Sequence, residues 1–299
     1  MNISMESYFE YVKKIEPAFR ILGEEMLSKQ DLAEYSYKTG PYDVLSKADT
    51  YTEKRIFEIL RSIDPRINIV GEETGNKPNS EKYWLVDPID GTVHYLRQSP
   101  FFTMMVALIV NTKPVLSIIY NPYTDDFFFA IKGEGAYKNN QRIRIKARPL
   151  KESLVFIDIN LSKKTNLRYF SKLVRKFKHL QLISSGYEYT LIAEGKADAR
   201  VCLDPYGKAY DFAPGVLLVS EAGGVVKDFQ HKDYRINQTS FIVARSPKLY
   251  NELRRIRLNR LNLILLSIYE ESKQQLILIK KLLTPQRVHK SHVHLTFRR

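Results

Sequence analysis

Nine residues, Trp84-Leu-Val-Asp-Pro-Ile-Asp-Gly-Thr92, constrain this chain more than any others, because they pass from an apolar strand straight into a tight polar turn. Trp84, Leu85 and Val86 are apolar and strand-prone, so they anchor one end in a core. Pro88 fixes its own φ and removes a donor, while Gly91 permits a backbone geometry that a side chain would forbid. Asp87 and Asp90 can aim two carboxylates into one space, where like charges repel unless a cation lies between them. Hard oxygen ligands of this kind suit Mg²⁺. Gly91 and Thr92 follow with backbone N–H groups and a hydroxyl at a helix start, where phosphate oxygens bind readily. The same residue types also build plain surface turns, so the stretch alone leaves both readings open.

Composition bounds the rest. A chain of 299 residues with 44% hydrophobic content can bury a large core, in one domain or in two subdomains sharing an interface. Its single cysteine, Cys202, excludes an internal disulfide framework and a four-Cys zinc site, which makes a reducing cytoplasmic compartment the expected setting. Residues Met1 to Gln30 carry Glu and Lys through their apolar positions and read as neither a signal nor a transit peptide. The apolar run Leu261 to Tyr269 is far shorter than the roughly 20 residues that span a bilayer, so a soluble protein without a membrane span is expected. The net charge of +14 resembles a nucleic-acid signal until it is located. Residues 245–299 hold 13 Lys and Arg against 3 Glu, a net of +10, which leaves +4 for residues 1–244. The body interleaves both signs and carries no aromatic and basic stripe, so no nucleic-acid partner is expected.

Along the chain, Met5 to Ser28 places apolar residues at helical spacing, an amphipathic helix on a core. A turn-rich loop from Tyr37 to Asp49 leads to a second helix, Thr50 to Ser62, which Asp49 or Thr50 would cap. Ile67 to Val70 reads as a short strand running into Gly71-Glu-Glu-Thr-Gly75, where Glu72 is a solvated loop residue, a further metal ligand beside Asp87 and Asp90, or the base orienting a water. Phe101 to Val110, Val115 to Tyr120 and Phe127 to Ile131 read as an antiparallel meander, closed by loop chemistry at Gly133 to Asn140. Strands then alternate with helices: Leu154 to Asp158, Lys163 to Phe177, Leu182 to Ser184, Tyr187 to Glu194, and Ala199 to Leu203. A further helix starts at about Tyr210 and stops at the Gly223-Gly224 pair. Asp211 stands at its start, where it serves as a cap or points at a ligand, and Pro214 falls inside its first turn.

Taken together, Gly71-Glu72-Glu73, Trp84-x-x-Asp87-Pro-Ile-Asp90-Gly-Thr92, Asp211-x-Ala-x-Gly215 and Glu221-Ala-Gly-Gly224 resemble, in order and spacing, the inositol monophosphatase family. That family lies within the Mg²⁺-dependent, lithium-sensitive phosphatases that include fructose-1,6-bisphosphatases. Asp43-Val-Leu-Ser-Lys-Ala-Asp49 is similar to its upstream acidic segment and Gly133-Glu-Gly-Ala136 to its mid-chain turn, so the resemblance covers about residues 5–250. It implies an α/β (α+β) fold of alternating αβαβα layers over 1–250, in halves of about 1–150 and 151–250, with 251–299 as a basic helical extension.

The resemblance also implies roles. Glu72, Asp87, the Ile89 carbonyl, Asp90 and Asp211 would hold two or three Mg²⁺ ions. Glu72, together with Thr92 backed by Asp49, would orient a metal-activated water for in-line attack on a phosphate monoester. Asp90, Gly91, Thr92, Ser185, Gly186 and, for substrate hydroxyls, Asp204 would face the substrate. A homodimer is usual among relatives. The expected substrates are inositol 1-phosphate or fructose 1,6-bisphosphate. The alternatives are 3′-phosphoadenosine 5′-phosphate, or a non-catalytic binding module working through the basic tail. Several residues depart from the family: His94 replaces an Asn, Tyr210 a Trp, Pro214 a small residue, and Tyr187 with Glu188 stand where small residues usually line the substrate side. Tyr187 and Glu188 are expected to reshape that side of the pocket.

Overall fold

The computed structural model describes residues 5–30, 35–40, 43–146, 148–181 and 184–257. The apolar stripe of the first segment forms helix α1 (Met5–Ser28), with Val12, Ile15, Phe19, Leu22 and Met26 buried. A two-stranded ribbon follows, β1 (Tyr35–Gly40) against β2 (Asp43–Ser46), where a loop was expected. Helix α2 (Lys47–Ile63) starts three residues before the expected Thr50. Its cap is Ser46, whose N–H and hydroxyl donate to the Asp49 carboxylate while the Asp49 N–H donates back to the hydroxyl. This reciprocal pattern ties down two helix-end donors at once, which is why the helix begins there.

Seven strands then build the larger sheet: β3 (Asn68–Gly71), β4 (Lys82–Asp90), β5 (Thr103–Val110), β6 (Lys113–Asn121), β7 (Asp126–Ile131), β8 (Gly135–Lys138) and β9 (Gln141–Ile143), neighbours in that order. Only β3 and β4 are parallel; the remaining pairs are antiparallel. Helix α3 (Thr92–Leu96) interrupts the run between β4 and β5. The residues after Gly133, expected as a loop, form β8, because Ala136 is buried and the Tyr137 ring stacks on Phe129 at 4.7 Å. Glu221 accepts the N–H groups of Gly133 and Gly135, so that turn is clasped by a carboxylate and is not a phosphate cradle.

The second half adds β10 (Leu154–Ile159), α4 (Lys164–Lys176), β11 (Lys178–Gln181), α5 (Ser185–Ala193), β12 (Ala199–Leu203), α6 (Ala209–Glu221), β13 (Val225–Asp228), β14 (Phe241–Ala244) and α7 (Pro247–Arg257). Its sheet has the order β11-β10-β12-β14-β13, parallel across the first three strands. Strand β11 lies just upstream of the strand expected at Leu182 to Ser184, of which Leu182 and Ile183 lie outside the described residues. Pro214 is the sixth residue of α6, one turn deeper than expected.

Side-chain packing sets the layers. Met104, Val106 and Leu108 face α1 and α2, while Met105, Ile119 and Phe128 face α5 and α6. Both faces of the larger sheet are therefore covered, which explains apolar runs without alternation. Phe156, Cys202 and Phe241 meet α5 and α6 from the second sheet, whose other face packs Val155, Val201 and Ile242 on Tyr169 and Leu173 of α4 and Leu249 and Leu253 of α7. The order is αβαβα, as the family resemblance implies. Residues 5–256 lie in one compact unit. The expected extension beyond residue 257, with His289, His292 and His294, lies outside the described residues. Among the described residues, no helix is long and apolar enough to cross a membrane.

Candidate active site

In a regular strand, residues three apart point to opposite faces. Strand β4 pairs Asp87 with Met105 but Asp90 with Thr103, so three steps on β4 oppose two on β5. The extra residue is a bulge, and Pro88 is tolerated there because the local ladder is already broken. This bulge turns Asp87 and Asp90 to one side. Asp211 joins them from the first turn of α6, and one oxygen from each of the three carboxylates lies within 4.8 Å of the others. Glu72, on the loop after β3, stands beside them, its N–H donating to the Val86 carbonyl at 3.1 Å.

Such a cluster is electrostatically costly. Burial, and then the charges of Glu72, Asp90 and Asp211, push the Asp87 carboxyl well above the usual carboxylate range. Burial followed by Glu72 and Asp90 pushes Asp211 up to about 8. Burial also raises Asp90, against the pull of the Gly186 and Ser185 N–H groups and the charge of Arg200. Asp87 Oδ1 is buried with no hydrogen-bond partner among the described residues. An acceptor left bare inside three or four carboxylates is what a cation site requires, since removing the oxygen from water is unfavourable unless something positive meets it. An all-oxygen donor set fits Mg²⁺ better than a softer ion.

Neighbouring elements hold each group in place. The Ser185 and Gly186 N–H groups at the start of α5 donate to Asp90 Oδ1 at 3.0 Å and Oδ2 at 2.7 Å, and the Thr103 hydroxyl donates at 3.3 Å. Both amides expected to face substrate are thus committed to Asp90. Gly186 itself packs on β5, where an added Cβ would lie 2.2 Å from Thr103 Oγ1. Gly91 adopts φ +90°, and a Cβ there would meet the Phe101 carbonyl and Ser184 Cβ at 2.9 Å, so the turn closes only with glycine. The one hydrogen of Thr92 Oγ1 has two acceptors in reach, Asp49 Oδ1 at 3.0 Å and the Ile89 carbonyl at 3.1 Å. Asp49 is 1% exposed, and burial pushes its carboxyl up to about 6 despite the Ser46 and Thr92 hydrogen bonds. Asp49 is therefore both part of a helix cap and a partner of Thr92.

Two expectations about the substrate side change. Asp204 pairs with Lys163 Nζ at 2.9 Å and accepts from Asn166 Nδ2 at 3.0 Å, contacts that fasten its loop to the start of α4. Glu188 is fully buried against Arg200 at 3.0 Å and does not reshape the pocket. Tyr187 meets the Phe101 ring edge-on at 5.1 Å, and Phe101 meets His94 at 5.7 Å. Sequence reasoning missed Glu53, buried on α2, whose carboxylate accepts the Glu73 and Thr74 N–H groups at 2.8 and 2.9 Å and so holds the loop bearing Glu72. An acid on the face that also carries Ile56, Phe57 and Leu60 was the available signal.

Fold and site together define a layered α/β protein with a cluster of acidic side chains set between its elements. The sequence profile of the inositol monophosphatase family matches residues 5–260, and the chain belongs to that family. Over 164 residues it is 31% identical to the fructose-1,6-bisphosphatase of Pyrococcus furiosus, a match spanning 53% of this chain and 60% of that protein. It is 32% identical to the Nus factor SuhB of Xylella fastidiosa, over 64% of this chain and 71% of that one. The solved structure of the extragenic suppressor protein SuhB from Bartonella henselae superposes with a TM-score of 0.74 at 27% identity, covering 83% of this chain and 98% of that chain.

Proposed function

We propose that the protein is a Mg²⁺-dependent phosphomonoesterase acting on inositol 1-phosphate, fructose 1,6-bisphosphate or both. The observation that carries this reading is the cluster of buried Asp87 and Asp90 with half-buried Asp211, in which Asp87 Oδ1 has no hydrogen-bond partner among the described residues. Glu72, Asp87, the Ile89 carbonyl, Asp90 and Asp211 would hold two or three Mg²⁺ ions. Bound there, the ions would neutralise the phosphate, stabilise the leaving oxygen and acidify a water.

The chain's own groups supply the rest. If the Ile89 carbonyl is engaged by a cation, the Thr92 hydrogen turns to Asp49, and the Thr92 oxygen presents its lone pairs outward. A water hydrogen-bonded to those lone pairs is oriented for attack, and its proton can pass through Thr92 to Asp49, whose raised affinity for protons suits that task. Glu72 orients the same water from the opposite loop. Water adds to phosphorus as the bond to the ester oxygen breaks; that oxygen takes up a proton from solvent and Asp49 afterwards releases the one it received, giving an alcohol and inorganic phosphate without a phosphoenzyme. Gly91 and Thr92 at the start of α3 would meet the phosphate, while Ser185 and Gly186 would act through Asp90. Homodimerisation and a cytoplasmic setting belong to the same reading, and the former is checked by light scattering.

The test is phosphate release from inositol 1-phosphate, fructose 1,6-bisphosphate and 3′-phosphoadenosine 5′-phosphate, with Mg²⁺ or with chelator. Metal-dependent turnover on either of the first two supports the reading, and preference for the third reassigns the substrate. Turnover that survives chelation, or a trapped phosphoenzyme, overturns the mechanism.

A further inference from the structure

Arg200 is fully buried on β12, in the middle of the second sheet, with its side chain turned toward α5 and α6. Nη2 donates to Asp158 Oδ2 at 2.8 Å and to Ser185 Oγ at 2.9 Å, Nε donates to Cys202 Sγ at 3.3 Å, and Nη1 pairs with Glu188 Oε2 at 3.0 Å. The guanidinium also lies 5.0 Å from the Tyr189 ring and 5.8 Å from the Phe212 ring. Three of these partners, Ser185, Glu188 and Tyr189, lie on the first two turns of α5, and Phe212 directly follows Asp211.

Burying an arginine with two carboxylates is unfavourable compared with apolar side chains of similar volume, so stability alone does not account for the group. Its geometry does. The planar fork reaches three elements at once, which a lysine ammonium could not match. The element it grips most firmly is the helix turn whose Ser185 and Gly186 N–H groups hold both oxygens of Asp90.

We propose that Arg200 is a positioning residue for the cation site, locking the first turn of α5 so that Ser185 and Gly186 hold the Asp90 carboxylate toward Asp87 and Asp211. The inference rests on the metal-dependent reading above. Groups that orient metal ligands typically change metal affinity by about 10- to 100-fold when removed, so the effect is measurable.

The experiment titrates Mn²⁺ into the metal-free 299-residue chain and follows free Mn²⁺ by EPR, alongside the Mg²⁺ dependence of phosphate release. Two variants serve. Ser185→Ala removes only the hydroxyl that links Arg200 to the turn and keeps the N–H to Asp90. The triple variant R200M/E188Q/D158N removes the buried charges together, so no ion is stranded, and Trp84 fluorescence reports whether it folds. The expected result is a Mn²⁺ affinity weakened about threefold or more by Ser185→Ala and about tenfold or more by the triple variant. The half-saturating Mg²⁺ should rise in parallel, with kcat at saturating Mg²⁺ changing far less. A merely structural role would lower the unfolding midpoint without moving the metal titration. Ser185→Ala, or a folded triple variant, binding Mn²⁺ as the wild type does would overturn the proposal, and the single variant decides the matter if the triple does not fold. Wild-type protein that binds no Mn²⁺ would instead sink the metal-dependent reading itself.

Discussion

The acidic cluster should make the metal-free protein less stable at high pH, and D211N should relieve part of that strain. In the folded, metal-free protein burial and like charge push Asp211 up to about 8, whereas an unfolded chain ionises near the ordinary value of about 3.9. The folded state therefore binds the extra proton, and stability is lost as pH rises from about 4 to about 8. Two unit charges within 4.8 Å at an effective dielectric near 20 repel by about 3 kcal/mol. Asp211 is half-buried, and solvent screening brings the net effect to about 1–3 kcal/mol. For a chain of this size that corresponds to roughly 2–5 °C in midpoint. Asn keeps the acceptor for the Lys208 N–H, which donates to Asp211 at 2.5 Å, so the helix start survives the substitution. Thermal unfolding in chelator at pH 5 and pH 8, then with excess Mg²⁺, measures each part. D211N should unfold at a higher temperature than the wild type at pH 8 in chelator, differ less at pH 5, and gain less from Mg²⁺. A metal-free D211N protein less stable than the wild type at pH 8 would show that the carboxylate is already compensated by the protein, and the electrostatic argument would fail.

Glu53→Ala should strand the Glu73 and Thr74 N–H groups, lowering stability by about 2–3 kcal/mol in urea and raising the Mg²⁺ needed for half-maximal activity. Thr92→Ala should cut kcat by about 10²-fold or more while leaving thermal stability close to wild type, as expected for loss of a proton path at a half-buried hydroxyl. Gly186→Ala drives a methyl into Thr103 and Met105, and should cost at least about 1–3 kcal/mol, read as a lowered unfolding midpoint. Cys202 is buried and its thiol is pushed up to about 12, so alkylating reagents should label it only after unfolding, as mass spectrometry would report.

Much of this protein was legible in its residue order. Helix α1 and strands β10 and β12 fall where the apolar pattern puts them, because such a pattern is a local property that a helix or strand need only obey. Asp87, Asp90 and Asp211 stood out by residue type and spacing, which left turn and cap readings open; only the family resemblance implied a shared ligand role. The sites of local misreading were those settled by a distant partner. Gly135–Lys138 is a strand because Phe129 offers Tyr137 a ring to stack on, and α2 starts early because Ser46 and Asp49 answer each other.

The sequence by itself therefore determined which side chains are available for chemistry and roughly where each element runs. Only the tertiary structure decided that a bulge turns Asp87 and Asp90 to one side, that Glu53 and α5 hold the acids in place, and that Glu188 lies inward on Arg200 while Asp204 is tied to Lys163. Propensity and periodicity act over a few residues. The pairing of charges and amides separated by tens of residues is chosen by burial, where an unmatched polar group costs far more than any local preference can offset.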